Sequence, residues 1–128
     1  MKVQVDEVPA HRDARGMVFE PLGGDELGGQ QNVHVVLTEP GQVRGNHYHR
    51  LGTEVLVVVG PALVRVREEG QPRDYDVPAG AVHRFLMPPG IPHAIQNTGP
   101  DPCVMVGFNS VAHDPAQPDT FRDVLIEV

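Results

Sequence analysis

Three histidines and one glutamate have the side-chain types and the spacing of a metal site. His47 and His49 are two residues apart, and side chains two apart on a strand point to the same face. Their imidazoles therefore lie side by side, about 6 to 7 Å apart along the strand. Imidazole nitrogens are common ligands of divalent transition metals. This separation suits one cation between the two rings.

Glu54 and His93 are predicted to complete that site. Glu54 comes five residues after His49, so a continuous strand would point it to the opposite face. Gly52 allows the chain to turn between them, and Glu54 can then open a partner strand facing the same interior. His93 follows the Pro-rich turn 88–92 and begins a strand of its own. Ligand types alone do not choose among Zn, Ni, Fe, Mn and Co.

The elements that position these residues are predicted to be short strands. The chain has 14 Gly and 13 Pro, and apolar residues between them alternate without a helical period. We predict an all-β jelly-roll barrel of two antiparallel sheets with little helix. The predicted strands are Met17–Pro21, Gln31–Thr38, Val43–Tyr48, Glu54–Val59, Ala62–Glu68, Arg73–Val77, His83–Met87, His93–Asn97 and Cys103–Asn109.

Length and charge limit the remaining possibilities. The 128 residues predict one domain spanning 1–128, and the single Cys103 reads as a buried strand thiol. A formal net charge of −7 argues against nucleic acid or anionic lipid as a partner. No stretch is apolar enough for a signal peptide or a membrane span, so we expect a cytoplasmic protein with no membrane partner.

Two segments resemble the motifs of the cupin superfamily. Residues 41–60, with their two His and one Glu, resemble the first cupin motif, and residues 88–97, with their single His, resemble the second. A narrower resemblance covers almost the whole chain. Residues 13–20 and 44–49 are similar to segments of sugar-nucleotide 3,5-epimerases. Residues 44–49 and 113–121 also resemble the C-terminal cupin domain of capsular polysaccharide reductase/epimerase enzymes, here in a stand-alone form.

The resemblance implies epimerisation or isomerisation of a nucleotide-linked 4-keto-6-deoxy sugar, in polysaccharide or deoxysugar biosynthesis. It implies substrate contacts by Arg15, Glu20 and Arg44, with the first two often acting across a homodimer interface. The implied cofactor is a divalent metal that polarises the keto group, with zinc preferred and nickel, iron, manganese or cobalt as alternatives.

The identity of the catalytic base stays open. The resemblance places it at His47, but a histidine bound to metal cannot also take a proton. If His47 is purely a ligand, the base is to be sought among His34, His83 and Tyr75. Two other functions also stay open: a cupin dioxygenase or isomerase of a small non-sugar substrate, and a non-catalytic sugar-binding cupin.

Overall fold

Twelve β-strands and one helical turn make up the computed structural model, which describes residues 1–128. In chain order the elements are β1 (Gln4–Glu7), β2 (Ala10–Asp13), β3 (Gly16–Phe19), α1 (Gly24–Leu27), β4 (Asn32–Thr38), β5 (Val43–His49), β6 (Glu54–Val59), β7 (Ala62–Glu68), β8 (Gln71–Val77), β9 (Val82–Met87), β10 (His93–Asn97), β11 (Cys103–Asn109) and β12 (Thr120–Arg122). None of the helices could cross a membrane.

Two five-stranded antiparallel sheets face each other across the core. The first sheet has the order β1-β9-β6-β11-β4, and the second has the order β12-β5-β10-β7-β8. Strands β2 and β3 form a separate hairpin outside the first sheet. This is the predicted all-β jelly roll, in which consecutive strands of the chain often lie in different sheets.

The central strand β6 is apolar on both faces, as its sequence predicts. Leu56 and Val58 point into the core between the sheets, whereas Val55 and Val57 pack beneath the β2–β3 hairpin. Val64 and Val66 of β7 are fully buried and alternate with more exposed arginines, as a strand with one wet face requires. The buried end of β6 therefore provides a rigid support for Glu54.

Three edge elements were not among the predicted strands. β1 and β2 are mostly exposed, and β12 has only three residues, so none of them carries an alternating apolar pattern. They form because a neighbouring strand offers unpaired backbone groups: β1 pairs with β9, and β12 pairs with β5. The β12 pairing lies directly beside the strand that carries His47 and His49.

Candidate metal centre

Four side chains meet at one end of the gap between the two sheets. His47 and His49 come from β5, His93 begins the adjacent β10, and Glu54 begins β6 on the facing sheet. His93 lies opposite His47 in the pairing register. One ligand atom from each of the four residues lies within 4.8 Å of all the others, so the cluster could hold a metal ion.

Two glycines make this convergence possible. Gly45 has φ +88°, and a Cβ at this position would lie 2.7 Å from the His93 carbonyl oxygen. This close approach accompanies a register shift between His93 and Ala94. With that shift, His93 lies opposite His47. Gly52 lies against the Asn109 side chain in the turn before Glu54, where any Cβ would overlap it. The turn expected at Gly52 is thus present.

Backbone carbonyls fix the tautomers of two of the histidines. His49 Nδ1 lies 3.1 Å from the Asp119 carbonyl oxygen, and His93 Nδ1 lies 3.0 Å from the Ile91 carbonyl oxygen. A carbonyl oxygen only accepts, so each Nδ1 must carry the hydrogen. In the neutral ring the lone pair is then on Nε2, which is the arrangement of a metal-binding imidazole.

The two Nε2 atoms converge on one carboxylate oxygen. Glu54 Oε2 lies 2.8 Å from His49 Nε2 and 2.9 Å from His93 Nε2. The His93 contact lacks the alignment of a hydrogen bond, which leaves this buried nitrogen without a hydrogen-bond partner. Lone pairs that face one another at such distances need positive charge between them, either protons or a cation.

The protonation equilibria of the cluster reflect the same crowding. Burial lowers the pKa of His47 to about 4, and the neighbouring His93 adds to this effect. Burial is the largest single influence on His49 and would lower its pKa, but the hydrogen bond and charge of Glu54 together with the contacts to Asp119 outweigh burial and raise the pKa. Burial opposes ionisation of Glu54, yet its contacts with His49 and His93 hold its pKa well below the ordinary value. His47 is therefore neutral and Glu54 ionised at neutral pH, as metal ligands must be.

The donor set fits a divalent transition metal. Two ligand atoms each about 2.0 to 2.2 Å from a metal are at most about 4.4 Å apart. The observed limit of 4.8 Å thus requires only small side-chain adjustments. Three imidazole nitrogens and one carboxylate oxygen leave coordination positions open in a five- or six-coordinate ion.

The cluster opens into a cavity of about 430 Å³. Only two of its twelve lining residues are hydrophobic, and no lysine or arginine is among them. His34 lines this cavity from β4, and its ring lies over Gly107 of β11, where a Cβ would overlap the ring.

Residues 110–126 form a strap that closes one wall of the cavity. Val111 to Asp114 line it, and β12 then pairs with β5, placing Thr120 opposite His49. Asn46, with φ +57°, holds the end of the strap: its Oδ1 accepts from Leu125 and Ile126 N–H, and its Nδ2 donates to the Ile126 carbonyl.

Asp119 joins the strap to the turn that follows His49. Its carboxylate accepts backbone N–H groups from residues 50, 51 and 52 at 2.8 to 3.1 Å. Burial opposes ionisation of this carboxyl, but the three N–H donors outweigh it and hold the pKa below its ordinary value. Sequence reasoning did not single out Asp119 or Asn46. The one available signal for Asp119 was its position in the tail segment that resembles capsular polysaccharide enzymes.

The predicted substrate-binding residues lie outside this cavity. Arg15 is exposed at the tip of the β2–β3 hairpin and pairs with Asp13 at 2.6 Å. Glu20 is exposed just after the hairpin, and the exposed Arg44 donates to the Leu37 carbonyl at 3.3 Å. A role for Arg15 and Glu20 across a dimer interface stays a prediction.

Two of the three candidate bases are also away from the cavity. Tyr75 donates its hydroxyl hydrogen to Glu68, and His83 pairs with Val58, four residues along β6 from Glu54. Tyr48 points away from the cluster and stacks on Phe121, with ring centroids 5.5 Å apart. Of the candidates named from the sequence, His34 is the one that lines the cavity.

Comparisons with known proteins agree with this architecture. Over 118 residues the chain is 30% identical to the UDP-2-acetamido-2,6-beta-L-arabino-hexul-4-ose reductase of Pseudomonas aeruginosa, covering 90% of this chain and 31% of that protein. The chain thus spans about a third of the length of this curated relative.

Solved structures of other proteins also match most of the chain. The capsular polysaccharide assembling protein CapF from Staphylococcus aureus matches with a TM-score of 0.68 and 26% identity, over 92% of this chain and 34% of CapF. ChmJ, a 3'-monoepimerase from Streptomyces bikiniensis in complex with dTDP-quinovose, matches with a TM-score of 0.71 and 22% identity, over 94% of this chain and 68% of ChmJ. At this identity the ChmJ match shows a shared fold.

A family match covers most of the chain. The polysaccharide biosynthesis C-terminal domain matches residues 11–121, a range that includes all four residues of the cluster. It begins in β2, ends in β12 and thus includes both facing sheets except β1. The chain belongs to the polysaccharide biosynthesis C-terminal domain family.

Proposed function

We propose that this protein is a metal-dependent epimerase or isomerase of a nucleotide-linked 4-keto-6-deoxy sugar, acting in polysaccharide or deoxysugar biosynthesis. One observation carries the proposal: His47, His49 and Glu54 of the cluster line the same polar cavity as the imidazole of His34, with His93 buried beside them. We propose zinc as the first metal to test, because histidine and glutamate ligands suit it as they suit nickel, iron, manganese and cobalt.

The lining of the cavity supports a sugar as the group that enters it. A hexose presents hydroxyl and keto oxygens, which match walls made of Asn, His and Asp side chains. Because no lysine or arginine lines the cavity, a diphosphate would be held outside it, where Arg44 or the Arg15 of a second copy could bind it. The neutral sugar would then face the cluster.

The reaction needs a base and a group that stabilises negative charge. Epimerisation beside a 4-keto group removes an acidic C–H proton and returns one to the opposite face. When bound, a divalent metal would polarise the keto oxygen as a Lewis acid. His47 cannot serve as the base while its ring is a ligand, so we assign removal of the C–H proton to His34, and solvent would return a proton to the opposite face.

We also propose a homodimer, with the outer face of β4 as the interface. Val33, Val35 and Leu37 are each more than half exposed and form an apolar stripe on this edge strand. The stripe continues the outer face of the first sheet, where the β2–β3 hairpin of the same chain covers β6 and β9. A second copy is the partner that would also bring an Arg15 and a Glu20 towards the cavity.

A small apolar substrate, as many dioxygenases use, fits this cavity less well, because Val111 and Ala112 are its only hydrophobic lining residues. A non-catalytic sugar-binding role predicts binding without proton exchange. The experiment below separates that role from the proposed one.

The decisive experiment follows hydrogen exchange in heavy water. The metal-loaded protein is incubated with a uridine- or thymidine-linked 4-keto-6-deoxyhexose, and deuterium at C3 and C5 is measured by mass spectrometry and NMR. We expect incorporation at C3, lost in His34→Gln and retained in the matched control His83→Gln. If loaded wild-type protein binds such sugars but incorporates no deuterium above a blank, the enzymatic proposal fails. Loss of exchange in both variants would contradict the assignment of His34.

A further inference from the structure

Asp119 contacts both the candidate ligand His49 and the turn that connects His49 to Glu54. Its carbonyl oxygen accepts the Nδ1 hydrogen of His49, at 3.1 Å. Its carboxylate accepts the N–H groups of Arg50, Leu51 and Gly52, which are the residues that turn the chain towards Glu54. A single residue, 70 positions away in the sequence, therefore holds both a ligand ring and the turn after it.

These two contacts control different properties of the cluster. Accepting from Nδ1 fixes the tautomer and the ring orientation of His49, so that Nε2 faces Glu54. By accepting three successive backbone N–H groups, the Asp119 carboxylate stabilises the turn at residues 50–52. This turn changes the face to which the following side chains point. Without that turn, the five-residue spacing would direct Glu54 away from the histidines.

Asp119 is itself held firmly by its neighbours. The next residue, Thr120, begins β12 and pairs with His49. Further along the strap, the Asp123 N–H donates to the Asn46 carbonyl at 2.8 Å, and the Asn46 side chain binds residues 125 and 126. The β12 pairing and the Asn46 anchor both follow Asp119 in the chain, and together with its own contacts to residues 49–52 they restrict its movement.

We propose that Asp119 is a positioning residue of the metal centre, which arranges His49 and Glu54 before a metal binds. The inference rests on the metal-dependent function proposed above. Asp119 touches no open face of the cluster through its carboxylate, since that group is occupied by three backbone donors. Although Asp119 also lines the cavity, its contacts with the cluster run through the His49 ring and the turn before Glu54, so its effect on a metal is exerted through the ligands.

The test compares Asp119→Asn with Asp123→Asn. Asparagine at 119 keeps the backbone carbonyl but replaces one acceptor oxygen with an NH2 group that faces an N–H donor. Asp123 is a matched control, because it lies on the same strap and its carboxylate contacts only Arg67, at 3.2 Å. Zn²⁺ affinity is measured by competition with a chromophoric chelator, and Co²⁺-loaded protein gives the visible ligand-field spectrum.

We expect Asp119→Asn to weaken Zn²⁺ binding by about 10- to 100-fold, the usual effect of removing a group that orients a ligand. We expect its Co²⁺ spectrum to change in band position or intensity, with both readouts unchanged in Asp123→Asn. A purely structural role predicts instead that both variants lower the stability of the metal-free protein while leaving affinity and spectrum as in the wild type. That result overturns the inference.

A measurement on the wild type keeps the inference testable if Asp119→Asn does not fold. In the metal-free protein, the amides of residues 50 to 52 should exchange slowly with deuterium because Asp119 already caps them. Fast exchange that becomes slow only after metal is added would mean that the turn is not arranged beforehand. Absence of Zn²⁺ binding by the wild type would refute the metal proposal itself, a different result from equal binding by wild type and variant.

Discussion

At the scale of single residues, the charge of Glu54 governs the cluster. This carboxylate is 4% exposed, and a buried charge must be neutralised locally. Protonating His49 alone would neutralise it, and the contact with Glu54 raises the pKa of that ring, but the buried Nε2 of His93 would still lack a hydrogen-bond partner. A divalent cation satisfies all four side chains at once, with every histidine neutral.

We therefore expect the purified protein to bind about one divalent metal per chain. Replacing His49→Ala together with His93→Ala should abolish binding in elemental analysis. Free metal at 100 times its dissociation constant should stabilise the wild type by about 2.7 kcal/mol in thermal unfolding, an effect that a chelator removes. His11→Ala with His83→Ala is the control and should bind normally. Stoichiometric metal in the His49/His93 double variant would show that the ligands lie elsewhere.

A second expectation at this scale concerns Gly107. A Cβ here would lie 2.6 Å from His34 Nε2, so Gly107→Ala must displace the ring. Because His34 is an exposed side chain that can rotate, the change should cost only about 1 kcal/mol of stability. Metal affinity should be unchanged while deuterium incorporation at C3 falls. Gly24→Ala, where the added Cβ meets nothing, serves as the control. Undiminished exchange in Gly107→Ala would argue that the position of His34 is unimportant.

At the scale of elements, the ligand strand β5 is supported on both sides, by β10 and by β12. β10 contributes His93, whereas β12 contributes no ligand and is too short to be stable alone. Its docking depends on side-chain contacts beyond the strand, chiefly those of Asn46. The docking of the strap therefore contributes to stability separately from the metal ligands.

Asn46→Ala should destabilise the metal-free protein by about 2 to 4 kcal/mol in urea unfolding. The change leaves backbone groups of residues 125 and 126 without partners and places alanine at φ +57°. Asn46→Gly loses the same hydrogen bonds but tolerates that φ, so its loss should be smaller by about 1 to 2 kcal/mol. Equal losses in the two variants would mean that backbone conformation contributes nothing.

Much of this element structure follows from local sequence. All nine predicted strands are present, because their apolar alternation and their Gly and Pro boundaries are local signals. The four-residue cluster was predictable because strand periodicity and one turn determine where His47, His49 and Glu54 point. Asp119 and Asn46 could not be derived in this way. Their partners are about 70 to 80 residues away, and no local pattern encodes such a pairing.

At the scale of the whole molecule, the two faces of the first sheet differ in how they are covered. The inner face packs against the second sheet, and part of the outer face lies under the β2–β3 hairpin. The stripe Val33, Val35 and Leu37 remains exposed at an edge strand. An exposed apolar edge is a site for association, and closed symmetric dimers are its commonest outcome.

Light scattering should show a dimer for the wild type at tens of micromolar. Val35→Lys with Leu37→Lys should give a monomer of nearly unchanged stability, because both side chains are exposed within the chain. Val124→Lys, at an exposed position of the strap, is the control and should remain dimeric. A monomeric wild type would contradict the dimer and also the proposed role of Arg15.

The distance in sequence between the ligand strand and the strap has a consequence during protein synthesis. His47, His49 and Glu54 are translated well before Asp119, which follows His49 by 70 residues. A domain generally folds as a unit, so these residues are not yet fixed in the sheets while the chain is incomplete. A nascent chain therefore exposes three candidate ligands before it contains the residues that orient them. Metal captured early would be held loosely and exchange readily, and tight binding would begin only when the strap has been added.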